Sequence, residues 1–167
     1  HETGQSERVI FTYSYVGVAV EVAVNVETGE VKVLRIASAA DVGRAINPKV
    51  VEQQIEGGIV MGLGSALYEG VVIDKGTPVN IDFTDYRVPR TLDVPTSDNF
   101  ETTIVEVAEP EGPLGAKGIG ELSIGVVAPA IANAVYNAVG ARIRDLPMSK
   151  ERVLEEIKKQ PTSLLST

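Results

Sequence analysis

The chain has 167 residues, enough for a single domain, and its 44% of hydrophobic residues is sufficient for a packed core. Its formal net charge of −8 disfavours binding to nucleic acid or to an anionic membrane surface, since both carry negative charge. There is no cysteine, and the single histidine is residue 1, which excludes disulfides, cysteine-bound clusters and metal sites made from this chain's own thiolates and imidazoles.

Alternating β-branched residues predict the first element, a strand hairpin. Between Val18 and Val26 a valine occupies every second position, which is typical of a half-buried strand. Turn-forming residues follow at 27–30, and a second strand is predicted from Val31 to Ile36. We therefore predict an antiparallel hairpin.

A helix is predicted to begin at Asn47-Pro48 and to run to about Tyr68. Asparagine is a favoured N-cap, and proline suits the first helical position. Four glycines lie inside this helix, and each costs up to about 1 kcal/mol in a helix interior. Such a cost is tolerable where another backbone or a ligand must approach closely. These glycines are Gly57, Gly58, Gly62 and Gly64.

The middle of the chain is predicted to form a short hairpin, a long loop and a strand. Residues Val71–Asn80 predict the hairpin, with its turn at residues 74–77. The loop, Asp82–Asn99, contains proline, aspartate and threonine, and a loop of this length is usually functional or packed against another chain. Phe100–Val107 then has the composition of a strand.

A second helix is predicted after a loop rich in glycine and proline, Glu109–Gly120. The helix should span about Glu121–Val139, with Gly140 as its C-cap and Pro129 marking a kink or a restart. The uncharged run 122–141 has about the length of a membrane span. Its small residues, asparagines and proline instead favour a helix buried against protein.

The last predicted elements are a short strand, Ala141–Arg144, and a final helix over residues 150–159 that is capped by Ser149. Strands and helices are mixed and the hairpins are local, which favours the α+β class over a doubly wound α/β sheet. We therefore predict antiparallel strand hairpins packed with two main helices and a short C-terminal helix.

The densest chemical signal is the segment from Gly115 to Glu121. Its three glycines allow a tight turn that exposes N–H groups, Lys117 offers a positive charge suited to phosphate, and Glu121 lies where loop and helix meet. The glycine spacing matches neither a Rossmann fingerprint nor a Walker loop. Local physics alone leaves two interpretations open: an anion-binding loop, or a plain glycine-rich turn in which Glu121 is a first-turn acid aligned with the helix dipole.

Three motifs and a hairpin extend this signal over most of the chain. The motifs are Asp41-Val42-Gly43-Arg44-Ala45-Ile46-Asn47-Pro48 with the later Gln54-Ile55-Glu56-Gly57-Gly58; Asp85-Tyr86-Arg87-Val88-Pro89; and Lys117-Gly118-Ile119-Gly120-Glu121. Together with the hairpin Glu21 to Val33 they resemble, in the same order, molybdenum hydroxylases of the xanthine dehydrogenase/aldehyde oxidase family. The resembling part is carboxy-terminal in the molybdopterin-binding large subunit.

The resemblance covers about residues 15–143, within one molybdopterin-binding domain, residues 1–167, whose ends, 1–8 and 160–167, are expected to be flexible. It implies an active-site base and a set of cofactor contacts. The base is Glu121, and the residues expected to bind molybdopterin are Gln54, Lys117, Gly118, Ile119 and Gly120. Since the pterin dithiolene holds the molybdenum, no metal ligand is expected from the protein.

The resemblance further implies oxidation of a small-molecule substrate, an aldehyde or a purine-like N-heterocycle, with water as the oxygen source, in the cytoplasm. Iron–sulfur clusters and FAD are expected on partner domains or subunits, because the cofactors carry the electron transfer. One departure is that Leu122-Ser123 follow Glu121, where many relatives have proline or serine; this departure is expected to alter the pocket wall.

The family's molybdenum subunit is several times longer, and its Gly-Gln-Gly segment and most substrate-contacting residues lie upstream of the matched region. The upstream half of that subunit is therefore an expected partner, and the isolated chain is expected to be inactive and to bind molybdopterin weakly or not at all. Two alternatives stay open: a non-catalytic assembly module from the same family, and an unrelated protein whose loop binds a phosphate ligand.

Individual residues have simpler interpretations as well. Asn47 is expected to be a helix cap, Asp41 a turn former, and Tyr86 and Pro89 packing residues of the long loop.

Overall fold

The predicted hairpin forms the centre of the described part of the chain, residues 12–161 of a computed structural model. Strand β1 (Tyr15–Val24) alternates between half-buried even-numbered and exposed odd-numbered side chains, as the valine pattern predicts. It pairs antiparallel with β2 (Val31–Asp41), so that Tyr15 lies opposite Asp41. The hairpin prediction is confirmed, and β2 extends to Asp41, beyond the predicted end at Ile36.

Another strand, β5 (Phe100–Val105), completes a sheet of order β1-β2-β5 and runs parallel to β2. Ile36 lies opposite Phe100, and Asp41 lies opposite Val105. The sequence predicted the strand but not its parallel partner. Because the strands are parallel, the carboxyl ends of β2 and β5 lie side by side, and the chain leaves both at the same edge of the sheet.

Two helices cover one face of this sheet. Helix α1 (Pro48–Leu67) begins as predicted, and its N-cap Asn47 accepts a hydrogen bond from the Val50 N–H. Helix α2 (Ile124–Val139) packs on β1 and on α1. The core between them consists of fully buried aliphatic side chains, among them Ile36, Ile55, Ile59, Leu63, Val127, Ile131 and Val135. Segregation of the helices to one face of the sheet confirms the α+β class.

Gly62 of α1 lies at the contact with α2. A Cβ atom at this position would stand 2.5 Å from the carbonyl oxygen of Ile124 and 2.8 Å from Cβ of Val127, whereas one at Gly57 would meet nothing within 4 Å. We therefore expect Gly62→Ala to lower the free energy of unfolding by about 2 kcal/mol through overpacking. The control Gly57→Ala should raise it by about 0.5–1 kcal/mol through helix propensity. Urea unfolding of both variants measures this, and equal effects would contradict it.

A small two-stranded ribbon follows α1. Strands β3 (Ile73–Asp74) and β4 (Thr77–Pro78) pair antiparallel, which confirms the predicted hairpin. The long loop after it contains two single 3₁₀ turns, Thr91–Asp93 and Ser97–Asn99.

Two side chains of this loop pack against the end of α1. The Tyr86 hydroxyl is 2.9 Å from the Glu69 carboxylate, to which it donates a hydrogen bond. The ring of Pro89 lies close to Gly64, so that a Cβ there would stand 2.9 Å from Pro89 Cδ. Pro89 thus packs as predicted, and the half-buried Tyr86 is held by its hydrogen bond to Glu69.

Helix α2 differs from its prediction at the amino-terminal end. It begins at Ile124 instead of Glu121 and continues through Pro129 without a restart. Its first turn contains no acidic residue, so Glu121 is not a first-turn acid. Ser123 stands at the N-cap position, but its hydroxyl donates to the carbonyl of Ile55 and does not cap the helix. Gly140, with φ of 71°, is the predicted C-cap.

The segment after Gly140 does not form the predicted strand. Ala141 and Ile143 are buried in the core, which explains the alternating pattern, but no strand of the described sheet lies beside them. Helix α3 (Lys150–Lys158) follows, and its predicted cap Ser149 accepts a hydrogen bond from the Arg152 N–H.

Across residues 12–161, no helix is long and apolar enough to cross a membrane. The predicted flexible ends were 1–8 and 160–167, which lie outside the described residues except for 160 and 161; of these, Gln160 donates its N–H to the carbonyl of Ile157.

Candidate functional site

A buried ion pair ties the glycine-rich loop to the sheet. The Lys117 ammonium lies 2.6 Å from Oδ2 of Asp41, and the two side chains are only 7% and 12% exposed. Oδ1 of Asp41 accepts from the backbone N–H groups of Gly43 and Val107. The hydrogen bond from Lys117 holds the pKa of Asp41 below its ordinary value, against the raising effect of burial. One carboxylate thus joins the ends of β2 and β5 to the loop.

Backbone hydrogen bonds run alongside this ion pair. The Arg44 N–H donates to the carbonyl of Gly115, and the Lys117 N–H donates to the carbonyl of Val42. Between these two bonds lies an antiparallel bridge from Gly43 to Ala116. Gly43 has φ of +64°, and a Cβ there would collide with the Gly115 carbonyl oxygen, so only glycine allows this close approach. The loop is therefore held by both backbone and side chains.

Gln54 on α1 makes the next attachment. Its side-chain amide donates to the carbonyl oxygen of Gly120, at 2.7 Å. The residue is otherwise exposed at the helix surface. The structure therefore brings together Gln54 and the residue that immediately precedes Glu121, two of the positions predicted from the motifs.

Ser123 makes the last attachment, which the sequence did not reveal. Its side chain is buried, and its hydroxyl donates to the carbonyl of Ile55 at 2.9 Å. Gly58 leaves the room for it, because a Cβ at that position would collide with the Ser123 hydroxyl. The segment 117–123 is thus fixed at its start, its middle and its end.

Glu121 lies between the attachments made through Gly120 and Ser123, and it is exposed. Its backbone carbonyl accepts from the Ile124 N–H at 3.2 Å. Among residues 12–161, no group donates a hydrogen bond to its carboxylate. A fixed backbone that presents an exposed carboxylate suits a group that must meet a reactant from outside this chain.

The backbone beside Glu121 offers hydrogen-bond donors on the same stretch. Within residues 12–161, the N–H groups of Gly118, Ile119, Gly120 and Glu121 have no acceptor. Ile119 packs its side chain against the core, whereas a Cβ at Gly118 or Gly120 would meet nothing within 4 Å. Neither glycine has a left-handed φ. Nothing inside the described chain therefore requires glycine at these two positions.

A ligand that approaches the backbone closely would require glycine at positions 118 and 120. Backbone N–H groups without an acceptor can donate to an anion, and a Cβ would occupy the space that such a ligand needs. The residues therefore fit an anionic cofactor such as a phosphorylated pterin. Within the same residues there is no cluster of three or more acidic, histidine or cysteine side chains that could hold a metal ion.

A loop with backbone donors beside a fixed carboxylate is consistent with a cofactor-binding domain, and comparison with known proteins shows the family of the chain. The family model for the molybdopterin cofactor-binding domain matches residues 1–95. The chain therefore belongs to this family. Its relatives are molybdenum-binding oxidoreductases of the xanthine dehydrogenase and aldehyde oxidoreductase type.

Three relatives illustrate the match. The aldehyde oxidoreductase molybdenum-binding subunit of Escherichia coli (strain K12) is 40% identical over 86% of this chain and 20% of its own length. The xanthine dehydrogenase molybdenum-binding subunit of Escherichia coli O157:H7 is 38% identical over 82% of this chain and 18% of its own. A solved structure of the aldehyde oxidoreductase from Desulfovibrio gigas has 34% identity and a TM-score of 0.78 over 87% of this chain and 15% of its own.

The chain thus spans about a fifth of the length of the curated relatives it matches. The molybdopterin prediction is confirmed at the level of the family. The assignments of Glu121 as base, and of Gln54 and the residues 117–120 as cofactor contacts, stay predictions.

Asp41 and Ser123 are the site residues whose roles sequence reasoning missed. Asp41 does form the predicted turn, through the Gly43 N–H, but its second oxygen binds Lys117. The charge that seemed suited to phosphate is therefore already paired within the chain. A signal for Asp41 was present, since it begins the first motif and Lys117 begins the last; Ser123 offered none.

Proposed function

We propose that this chain supplies the catalytic base and part of the cofactor cradle of a molybdenum hydroxylase that oxidises an aldehyde or an N-heterocycle. The observation that carries the proposal is the fixed segment 117–123. It presents one exposed carboxylate, Glu121, beside consecutive backbone N–H groups that have no acceptor within residues 12–161, on a domain of the molybdopterin-binding family. The remaining four-fifths of a subunit of the relatives' length would complete the active site.

Glu121 is the proton acceptor in this proposal. Its carboxylate accepts the proton that the water-derived nucleophile loses as it attacks an electron-poor carbon of the substrate. The attachments through Gln54 and Ser123 hold the Glu121 backbone in place, so that the carboxylate needs no large rearrangement when substrate arrives. Glu121 is then the catalytic residue, while Ser123 is a positioning residue.

The residues that would hold the cofactor are Gln54, Lys117, Gly118, Ile119 and Gly120. The backbone N–H groups of 118–120 would donate to oxygen atoms of the pterin or its phosphate, and the Gln54 amide lies beside them. Lys117 would act through its backbone and its pairing with Asp41, not as a free charge. When bound, the molybdenum cofactor supplies the two-electron oxidation, and iron–sulfur and flavin partners would carry the electrons away.

The phosphate-binding alternative is less well supported. The Lys117 ammonium, the charge on this loop that would attract a phosphate, is paired with Asp41 at 2.6 Å. Calorimetry of the isolated chain with ATP or GTP should therefore show no tight binding, and micromolar affinity would revive that alternative.

The two open glycines of the loop give a test of the cofactor cradle. Gly118→Ala and Gly120→Ala should leave the free energy of unfolding of the chain within about 0.5 kcal/mol, because each Cβ enters open space. In the assembled enzyme the same variants should lower the molybdenum and pterin content, since the Cβ occupies the cofactor's space. Metal analysis after gel filtration measures this, with Gly57→Ala as the matched control. Unchanged molybdenum in both loop variants would remove these residues from the cradle.

Isotope labelling tests the reaction itself. We expect the complete enzyme, assembled with the rest of its subunit and its redox partners, to oxidise an aromatic aldehyde or a purine over many turnovers in H₂¹⁸O. Mass spectrometry of the purine product should show one ¹⁸O atom for each hydroxylation; the aldehyde does not serve for labelling, because its carbonyl oxygen exchanges with the labelled water. An assembled, molybdenum-loaded enzyme that turns over neither class of substrate would favour the assembly-module alternative.

A further inference from the structure

The segment that follows α1, residues 71–86, exposes its apolar side chains, and we refer to it as the arm. Six of them are more than half exposed: Val71, Val72, Ile73, Val79, Ile81 and Phe83. Phe83 and Ile81 reach 81% each. Scattered apolar residues are normal on a protein surface, but this many in one short segment are typical of a surface that another protein covers.

The polar groups of the arm, by contrast, are used to fix it in place. The Asn80 side chain accepts from the Val72 N–H and donates to the carbonyl of Gly70, which closes the base of the ribbon. The Tyr86 hydroxyl binds Glu69 at the end of α1. The arm is therefore held in a defined conformation while its apolar side chains point to solvent, so little order remains to be gained on binding.

A cavity of about 290 Å³ lies on the arm and is lined by Asn80, Ile81, Asp82, Phe83 and Tyr86. It is large enough for one apolar side chain of a partner. Three aspartates and one lysine lie within residues 71–86, so the rim of this surface is acidic. The shape and charge fit a partner face with an apolar centre and basic residues around it.

We propose that the arm docks onto the remainder of the molybdenum-binding subunit, the part of such a subunit that this chain does not contain. The relatives are more than four times as long as this chain, since the 139–147 matched residues are 18–20% of them, and the arm lies inside the residues that the family model matches. The arm thus lies within the matched domain. Two copies of this chain would bring two acidic rims together, which disfavours a second copy as the occupant.

A photo-cross-linking amino acid at position 83 of the purified complete enzyme tests the docking. We expect cross-linked peptides to map to the molybdenum-binding subunit outside residues 1–167, whether that part is joined to this chain or is a separate polypeptide. The control is the same amino acid at Glu155, exposed on α3. The proposal would be overturned by cross-links to residues 1–167, of the same or a second copy, or by cross-links to the iron–sulfur or flavin subunit. A cross-linking yield at position 83 no higher than that at position 155 would also overturn it.

A substitution distinguishes the docking proposal from the proposed function. The docking proposal rests on the proposed function in one respect only, the assumption that the chain works within a longer subunit. Phe83→Asp should lower the recovery of assembled enzyme at least tenfold while leaving urea unfolding of the 167-residue chain unchanged, because Phe83 is exposed. Glu121→Gln should leave recovery unchanged. Normal assembly of Phe83→Asp would overturn the docking proposal and leave the role of Glu121 untouched.

Discussion

Replacing Glu121 by glutamine in the assembled, cofactor-loaded enzyme is expected to lower kcat by about 10²–10⁴-fold, the usual contribution of a general base. Glutamine keeps the size of the side chain but cannot accept the proton. KM should change little, because Glu121 is proposed to act on the proton and not to bind the substrate. Steady-state kinetics with an aldehyde and with a purine measure both constants.

The control for this substitution is Glu27→Gln, in the exposed turn between β1 and β2, at the opposite end of the hairpin from Asp41. Its kcat should equal that of the unchanged enzyme. Both variants should also retain full molybdenum content, since the side chain of Glu121 is not part of the proposed cradle. A Glu121→Gln enzyme with at least half the normal kcat would rule out the base, and loss of molybdenum would reassign Glu121 to cofactor binding.

The assignment of Glu121 shows how much can be predicted from local sequence alone. Composition and spacing predict only a rigid acid near a helix, and the structure places Glu121 before the helix, not in its first turn. The ordered family motifs supply the chemistry. The structure adds the reason why the residue is fixed, through Gly120 on one side and Ser123 on the other.

Elements that depend on neighbouring residues were predictable from the sequence. The hairpin follows from alternating valines, and α1 follows from Asn47-Pro48, because both signals lie within a few residues. The parallel pairing of β2 with β5 was not predictable in this way, since its partners are distant in sequence. The alternation at Ala141–Arg144 was misleading, because a buried segment without a neighbouring strand has the same pattern.

The glycines of the chain illustrate the same limit. The sequence indicated that several of them permit a close approach but not of what. In the structure, Gly58 and Gly62 face α2 and its preceding turn, whereas Gly118 and Gly120 face open space. Packing within the chain therefore accounts for the first pair, and a ligand is the proposed reason for the second.

Loss of Asp41 should destabilise the chain more than any other change at the site. In Asp41→Ala the Lys117 ammonium, only 7% exposed, loses its partner, and the N–H groups of Gly43 and Val107 lose their acceptor. We expect the free energy of unfolding to fall by about 3 kcal/mol, as for other buried pairs broken on one side. Urea unfolding at pH 7 measures this.

Lys117→Met should cost less than Asp41→Ala, because the remaining carboxylate keeps its two backbone donors. The double variant should be more stable than the sum of the two single effects predicts, since no buried charge is left without a partner. Strict additivity of the two effects would show that the ion pair carries no coupling energy and would contradict its role in holding the loop.

The pH dependence gives an independent test of the same ion pair. The folded-state pKa of Asp41 is lowered, chiefly by the hydrogen bond from Lys117. The ionised carboxylate therefore contributes fully to the free energy of unfolding above the unfolded pKa of about 3.9, and this contribution is lost as the pH falls through the folded pKa. Below about pH 4 the stability of the chain should therefore fall more steeply than that of Asp41→Asn. If the stability of the two proteins fell in parallel with pH, Asp41 would have the same pKa in the folded and unfolded states. The ion pair with Lys117 would then not be the contact that fixes the segment carrying Glu121.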